Sequence, residues 1–102
     1  MNVQVLRVSG DSNINAVSQA IIEYVLKDSI IHIDCIGIKA AYATIKALIQ
    51  TTEFLVKDGY RFNLRPYYIK VNTAENGMQP VSKTAIRWTL IAKKKKYKFL
   101  YS

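Results

Sequence analysis

The chain has 102 residues, half of them hydrophobic and 22% charged, with a net charge of +8. That length allows one domain with one core, and that composition belongs to a chain that folds rather than one that stays disordered. No apolar run approaches the roughly 20 residues that cross a bilayer, and a single cysteine, Cys35, excludes an internal disulfide framework.

Residues 3–8, VQVLRV, alternate around β-branched side chains and predict a first strand. The turn Ser9-Gly10-Asp11-Ser12-Asn13 is rich in residues that cap helices, with Ser12 or Asp11 the expected cap. From Ile14 the apolar positions Ile14, Val17, Ile21, Tyr24 and Val25 recur at helical spacing, so a helix should run to about Lys27. IIHIDCI (30–36) predicts a second strand, apolar enough to lie centrally in a sheet.

Gly37 then breaks the chain, and a second helix is expected from about Ile38 to Val56. Its expected buried face is Ala41, Ile45, Leu48, Thr52 and Leu55, leaving Ala40, Ala43, Thr44, Ala47 and Thr51 on exposed or half-exposed sides. Gly59 suits the left-handed position after that helix. YRFNLRPYYIKV (60–71) predicts a third strand, where Pro66 calls for an edge or a bulge because it has no amide donor. NTAENGMQP (72–80) is a polar hairpin connection, and KTAIRWTLIA (83–92) predicts a returning fourth strand.

The order β-α-β-α-β-β predicts an α/β fold in the α+β two-layer sense. Right-handed crossovers put both helices on one face of a four-stranded mixed sheet, with three strands parallel and the last antiparallel. Alternation puts Arg61, Arg65 and Arg87 on the opposite face.

Charge is unevenly spread. Residues 1–58 carry five basic and six acidic side chains, a net of −1, whereas residues 59–102 carry ten basic ones against Glu75 alone, a net of +9. Such asymmetry points to a polyanionic partner, nucleic acid first and an acidic protein surface or membrane second. The reading divides the chain into a domain, residues 1–92, and a basic-aromatic tail, residues 93–102. In that tail Lys93, Lys94, Lys95, Lys96 and Lys98 interleave with Tyr97, Phe99 and Tyr101. That pattern suits stacking on single-stranded bases, docking on an acidic protein, or an edge segment against another subunit.

Four motifs stand in register: V-S-x-x-S with Val17 and Ala20 after the first strand (Val8, Ser9, Ser12), Ile36-Gly37 before the second helix, Pro66 within the third strand, and Thr84-Ala85-Ile86 within the fourth. In these the chain resembles the stage V sporulation protein S (SpoVS) family, a branch of the Alba-like superfamily, over about residues 5–92. The resemblance implies an Alba-like fold and a dimeric or larger homo-oligomeric protein. It further implies binding of DNA or RNA with little sequence specificity, a link to regulation of sporulation, and no enzymatic activity. Where the superfamily has lysines in the loop after strand one, this chain has Gly10-Asp11.

The turn after strand one falls at the carboxyl edge of the sheet, where ligands gather in parallel α/β topologies. Its amides, with Gly10 allowing close approach and Ser9, Ser12 and Asn13 offering further bonds, could hold a phosphate. Asp11 opposes that role. Lys39 at the start of the second helix, with Lys70 and Lys83 flanking the hairpin, completes the expected phosphate-tracking surface.

The lysine tail should leave from the opposite end of the sheet. His32 and Asp34 share a strand face and could bond to each other, but no motif places a nucleophile beside them, and no spaced ligand cluster implies a metal or other cofactor. The expectation is therefore a cytoplasmic binding protein, nucleoid-associated if bacterial, and not an enzyme. The alternative is a structural or adaptor subunit that assembles with itself or a larger complex without touching nucleic acid.

Overall fold

The computed structural model describes residues 2–73 and 79–95. The elements are β1 (Val3–Val8), α1 (Ile14–Leu26), β2 (Ile30–Cys35), α2 (Ile38–Lys57), β3 (Tyr60–Thr73) and β4 (Val81–Lys94). The order and the two-layer α+β arrangement agree with the expectation. In the sheet the strands lie β1-β2-β4-β3, with β1 parallel to β2 and β4 antiparallel to both of its neighbours.

Alternation along the strands divides the sheet into two faces. Leu6, Val8, Ile31, Ile33, Leu90 and Ala92 point toward the helices and meet Ile21 and Val25 of α1 and Ala43, Leu48 and Leu55 of α2. Ile21, Ile31, Ile33, Leu55 and Leu90 are completely buried, each worth about 2 kcal/mol relative to exposure. β3 is an edge strand paired only through β4, and its register passes through Pro66 opposite Trp88 without a bulge. The missing amide of Pro66 is tolerated because one side of an edge strand needs no ladder partner.

Asn13, not Ser12 or Asp11, caps α1: its backbone is extended and its side chain accepts from the Ala16 amide at 2.9 Å. Ser12 has a different partner, since its hydroxyl accepts from the Ser9 amide at 2.9 Å. α2 begins after Gly37, whose φ of 89° disfavours any side chain, and Gly59 follows its end at φ 73°.

The buried face of α2 differs from the expected one. Ala40, Ala43, Thr44, Ala47, Leu48, Thr51 and Leu55 are buried, whereas Ile45 is exposed and Ala41 and Thr52 are only half-buried. The helix is flanked by both the sheet and α1, so its inner face needs small side chains that let two neighbours approach. Hydrophobicity alone favoured Ile45, but close packing selected alanine and threonine. The larger residues are displaced outward: Ile38, Tyr42, Ile45, Ile49 and Val56 form an exposed stripe along the helix, and Thr52 continues the same alternating spacing.

Between the helices the Ser18 and Thr51 hydroxyls meet at 3.3 Å in a buried contact. Thr51 also donates to the Ala47 carbonyl at 2.8 Å, so Ser18 is the donor across the helix pair. Thr51→Val should leave the Ser18 hydroxyl buried without an acceptor and cost about 1–3 kcal/mol. Ser18→Ala should cost less, and the double variant should recover much of the Thr51→Val loss. Urea unfolding of the three variants checks this; additive losses would contradict it.

Candidate functional site

β4 runs between β2 and β3, but its pairing to β2 extends only from Leu90 to Ile86, opposite Ile31 to Cys35. Its pairing to β3 continues through Lys83↔Val71 to Val81↔Thr73. The β3–β4 ribbon thus passes the end of β2 as a two-stranded arm. Residues 74–78 of the expected hairpin lie outside the described residues.

One cleft of about 370 Å³ joins the arm to the rim of the sheet. It is lined by Arg7 to Gly10 and Ser12 from β1 and its turn, by Asp34, Cys35 and Ile36 from β2 and its exit, and by Val71, Asn72, Thr73 and Ala85 from the arm. Lys39 adjoins it, for a Cβ placed on Gly10 would fall 2.6 Å from the Lys39 Cβ. The absence of a side chain at Gly10 is therefore what lets the first turn of α2 close against the β1–α1 turn.

Several of the expected residues come together here, and some do not. Ser9, Gly10, Ser12 and Lys39 share the rim. Asn13 is next to them but uses its side chain as the cap of α1. The turn also satisfies part of its own hydrogen bonding: Ser12 donates its amide to the Ser9 carbonyl at 3.2 Å, and the two hydroxyls lie 3.2 Å apart. The amides of Ser9 and Ser12 are thus engaged within the turn rather than offered to a phosphate.

Lys70 and Lys83 lie on opposite faces of the arm, since Lys70 is paired with Thr84 and Lys83 with Val71. Lys70 donates to the Thr84 hydroxyl at 2.6 Å. Of the tail lysines, Lys93 and Lys94 are the last residues of β4, paired with Arg61 and Tyr60 at the end of the sheet away from the arm. Lys93 meets Asp28 at 2.6 Å, and Lys94 lies 5.0 Å from the Tyr60 ring centroid. Lys95 donates its amide to the Gly59 carbonyl at 2.9 Å. Lys96 and Lys98 lie outside the described residues.

Arg7 was not among the expected site residues, although it is exposed and lines the cleft. Strand alternation held the signal, because Arg7 pairs with Asp34, which pairs with Arg87. Asp34 is buried and accepts from Arg87 Nε at 2.7 Å and from its second guanidinium nitrogen at 2.8 Å. This two-pronged pair neutralises the one carboxylate of the cleft wall and staples β2 to β4. Chiefly through those hydrogen bonds, Arg87 is held still more firmly in its charged form.

His32 does not bond to Asp34. Its Nδ1 lies 2.8 Å from the Thr89 hydroxyl, which is also 2.7 Å from the Tyr67 hydroxyl. Cys35 points to the helix side and is buried. Among the described residues no three His, Cys, Asp or Glu side chains converge as a metal site, and no helix is long and apolar enough to cross a membrane.

Burial first, and the Arg87 charge second, hold the His32 pKa below its ordinary 6.5, against an opposing pull from Asp34. The unfolded chain therefore binds this proton more readily than the folded one, and stability is lost as pH falls through and below about 6.5. His32→Asn, which retains a partner for Thr89, should flatten that loss between about pH 7 and pH 5 in denaturant unfolding. An unchanged pH slope would contradict this reading of His32.

No curated protein matches the chain. The model of the family described as Stage V sporulation protein S (SpoVS) matches residues 4–93, from the second residue of β1 to the next-to-last of β4. With nearly the whole described fold inside that match, the chain belongs to the SpoVS family.

Proposed function

We propose that this SpoVS-family protein is a small homodimeric nucleic-acid-binding protein of Alba-like type, capturing the phosphate backbone of DNA or RNA by charge with little sequence specificity. The observation that carries the reading is the single cleft in which the β1–α1 turn, the exit of β2 and the β3–β4 arm converge, with Arg7 in its lining and Lys39 adjoining it. Lys70 and Lys83 extend that positive charge along the arm. Phosphate contacts of this sort fix position rather than sequence, and each releases counterions.

The exposed stripe on α2 supports the dimer. Ile38, Tyr42, Ile45, Ile49 and Val56 are between 44% and 90% exposed, and beside them Ile45, Leu48, Ile49, Thr52, Leu64 and Trp88 line a shallow apolar groove. A second copy related by a two-fold axis would cover both stripes at once. Pairing two subunits in this way doubles the number of rims available to one nucleic-acid path.

The adaptor reading retains specific support. Asp11 is exposed on the turn, and the amides of Ser9 and Ser12 are engaged within it. A protein that assembles with partners through the α2 stripe would need no anion site at that turn.

The test is titration of duplex DNA and RNA with the full chain and with a chain ending at Lys95, which keeps β4 whole. Micromolar binding is expected to survive truncation and to weaken steeply with salt. Lys39→Ala/Lys83→Ala should lower the log–log salt slope by about two, one for each lost phosphate contact. Binding confined to the full chain, or none at low salt, favours the adaptor. Sedimentation should give a dimer, with Ile45→Glu/Ile49→Glu shifting it to monomer while the circular dichroism spectrum is unchanged. A wild-type monomer would contradict the dimer.

A further inference from the structure

The charge of the described molecule is segregated by layer. The helices with their C-terminal turns, residues 14–29 and 38–59, hold Lys27, Lys39, Lys46 and Lys57 against Glu23, Asp28, Glu53 and Asp58, a net of zero. The sheet face turned away from them, with its extension along the arm, holds Arg7, Arg61, Arg65, Lys83, Arg87 and Lys93 against Asp34, a net of +5. Arg87 is committed to Asp34 and Lys93 to Asp28. Among the described residues Arg7, Arg61 and Arg65 have no carboxylate within ion-pair distance, and all three are exposed.

Register arranges this face in rows. One row across β1, β2, β4 and β3 reads Arg7, Asp34, Arg87, Tyr67; the next reads Val5, His32, Thr89, Arg65. Strands lie roughly 4.8 Å apart, so each row spans about 14 Å. Tyr67 is 40% exposed, and its hydroxyl is tied to Thr89 at 2.7 Å. That bond fixes the ring on the surface before any ligand arrives, which reduces the ordering cost of a stacked contact. Exposed cations beside a fixed, accessible aromatic ring form the combination that single strands use: phosphates track the charge while a base stacks on the ring. A duplex keeps its base faces covered and cannot make the second contact.

We infer that the open face of the sheet is a second nucleic-acid surface, distinct from the rim, which binds single-stranded nucleic acid with a base stacked on Tyr67 and phosphates against Arg65, Arg61 and Arg7. The inference rests on the nucleic-acid reading above for the class of partner; Arg7 borders both surfaces, and the remaining contact residues are different. Bases stack on any aromatic face, so this surface is tolerant of sequence.

The experiment is fluorescence anisotropy of the full chain with a mixed-sequence single-stranded oligonucleotide of about 15 nucleotides, the upper site size of one single-strand-binding fold, and with a duplex of the same sequence. Tyr67→Ala should weaken single-strand binding roughly 5- to 100-fold and change duplex binding less than about twofold. Tyr67→Phe, which keeps the ring, should retain most of the affinity. Arg61→Ala/Arg65→Ala should weaken single-strand binding and lower its salt slope by about two. Thermal unfolding of each variant separates lost contact from lost fold.

Tyr67→Ala binding the single strand as well as wild type, or losing single strand and duplex equally, overturns the inference. If Lys39→Ala/Lys83→Ala weakens binding while the face variants do not, the rim stands and the open face fails. The reverse result supports the open face and removes the rim. No binding of either nucleic acid at low salt overturns both, and leaves an acidic protein as the partner of the basic face.

Discussion

β4 is hydrogen-bonded along both of its edges, to β2 over Ile86–Leu90 and to β3 over Val81–Lys94. Had it stayed at the edge as a simple hairpin return beyond β3, Thr89 and Arg87 would not lie beside His32 and Asp34. Inserted where it is, it sets Arg87 opposite Asp34 and Thr89 opposite His32. The same insertion lets the longer β3–β4 pairing overrun β2, and the overrun is the arm that closes the cleft beside the β1–α1 turn. The ion pair matters to this arrangement because Asp34 is buried: without Arg87 its charge would be uncompensated, a loss of about 3 kcal/mol or more.

Much of this was legible in the sequence. Alternation and apolar runs in the strands, three- and four-residue spacing in the helices, and the glycine breaks gave all six elements, and Gly37 and Gly59 fall where positive φ is required. Four motifs in register identified the family before the fold was known. Side-chain size was harder to read. On α2, hydrophobicity favoured Ile45 for the interior, whereas the helix lies against two layers at once and its inner face is filled by Ala40, Ala43, Thr44, Ala47 and Thr51 beside Leu48 and Leu55. Three residues in a row could each cap α1, and only the backbone conformation distinguishes Asn13 from Ser12 and Asp11.

The site was legible in part. The convergence of the turn, the start of α2 and the arm follows from topology, because parallel strands deliver their carboxyl ends to one edge. Arg7 went unnoticed because its role depends on which strand β2 pairs with on its far side, and strand order is not a local property. The Thr89-centred contacts of His32 and Tyr67 have the same origin, joining residues 57 and 22 positions apart in the chain.

If the proposed reading is right, positive charge guides a polyanion to the rim and the open sheet face while the charge-balanced helices remain free for a second subunit. The most direct measurement is amide chemical-shift mapping of the full chain as a short nucleic acid is added. Shifts are expected at Arg7–Ser12, at Lys39, along the arm and on the open-face residues of β3 and β4, with the outer surfaces of α1 and α2 unchanged. Shifts concentrated on Glu23, Lys46 and Glu53, or a spectrum unmoved at low salt, would contradict it.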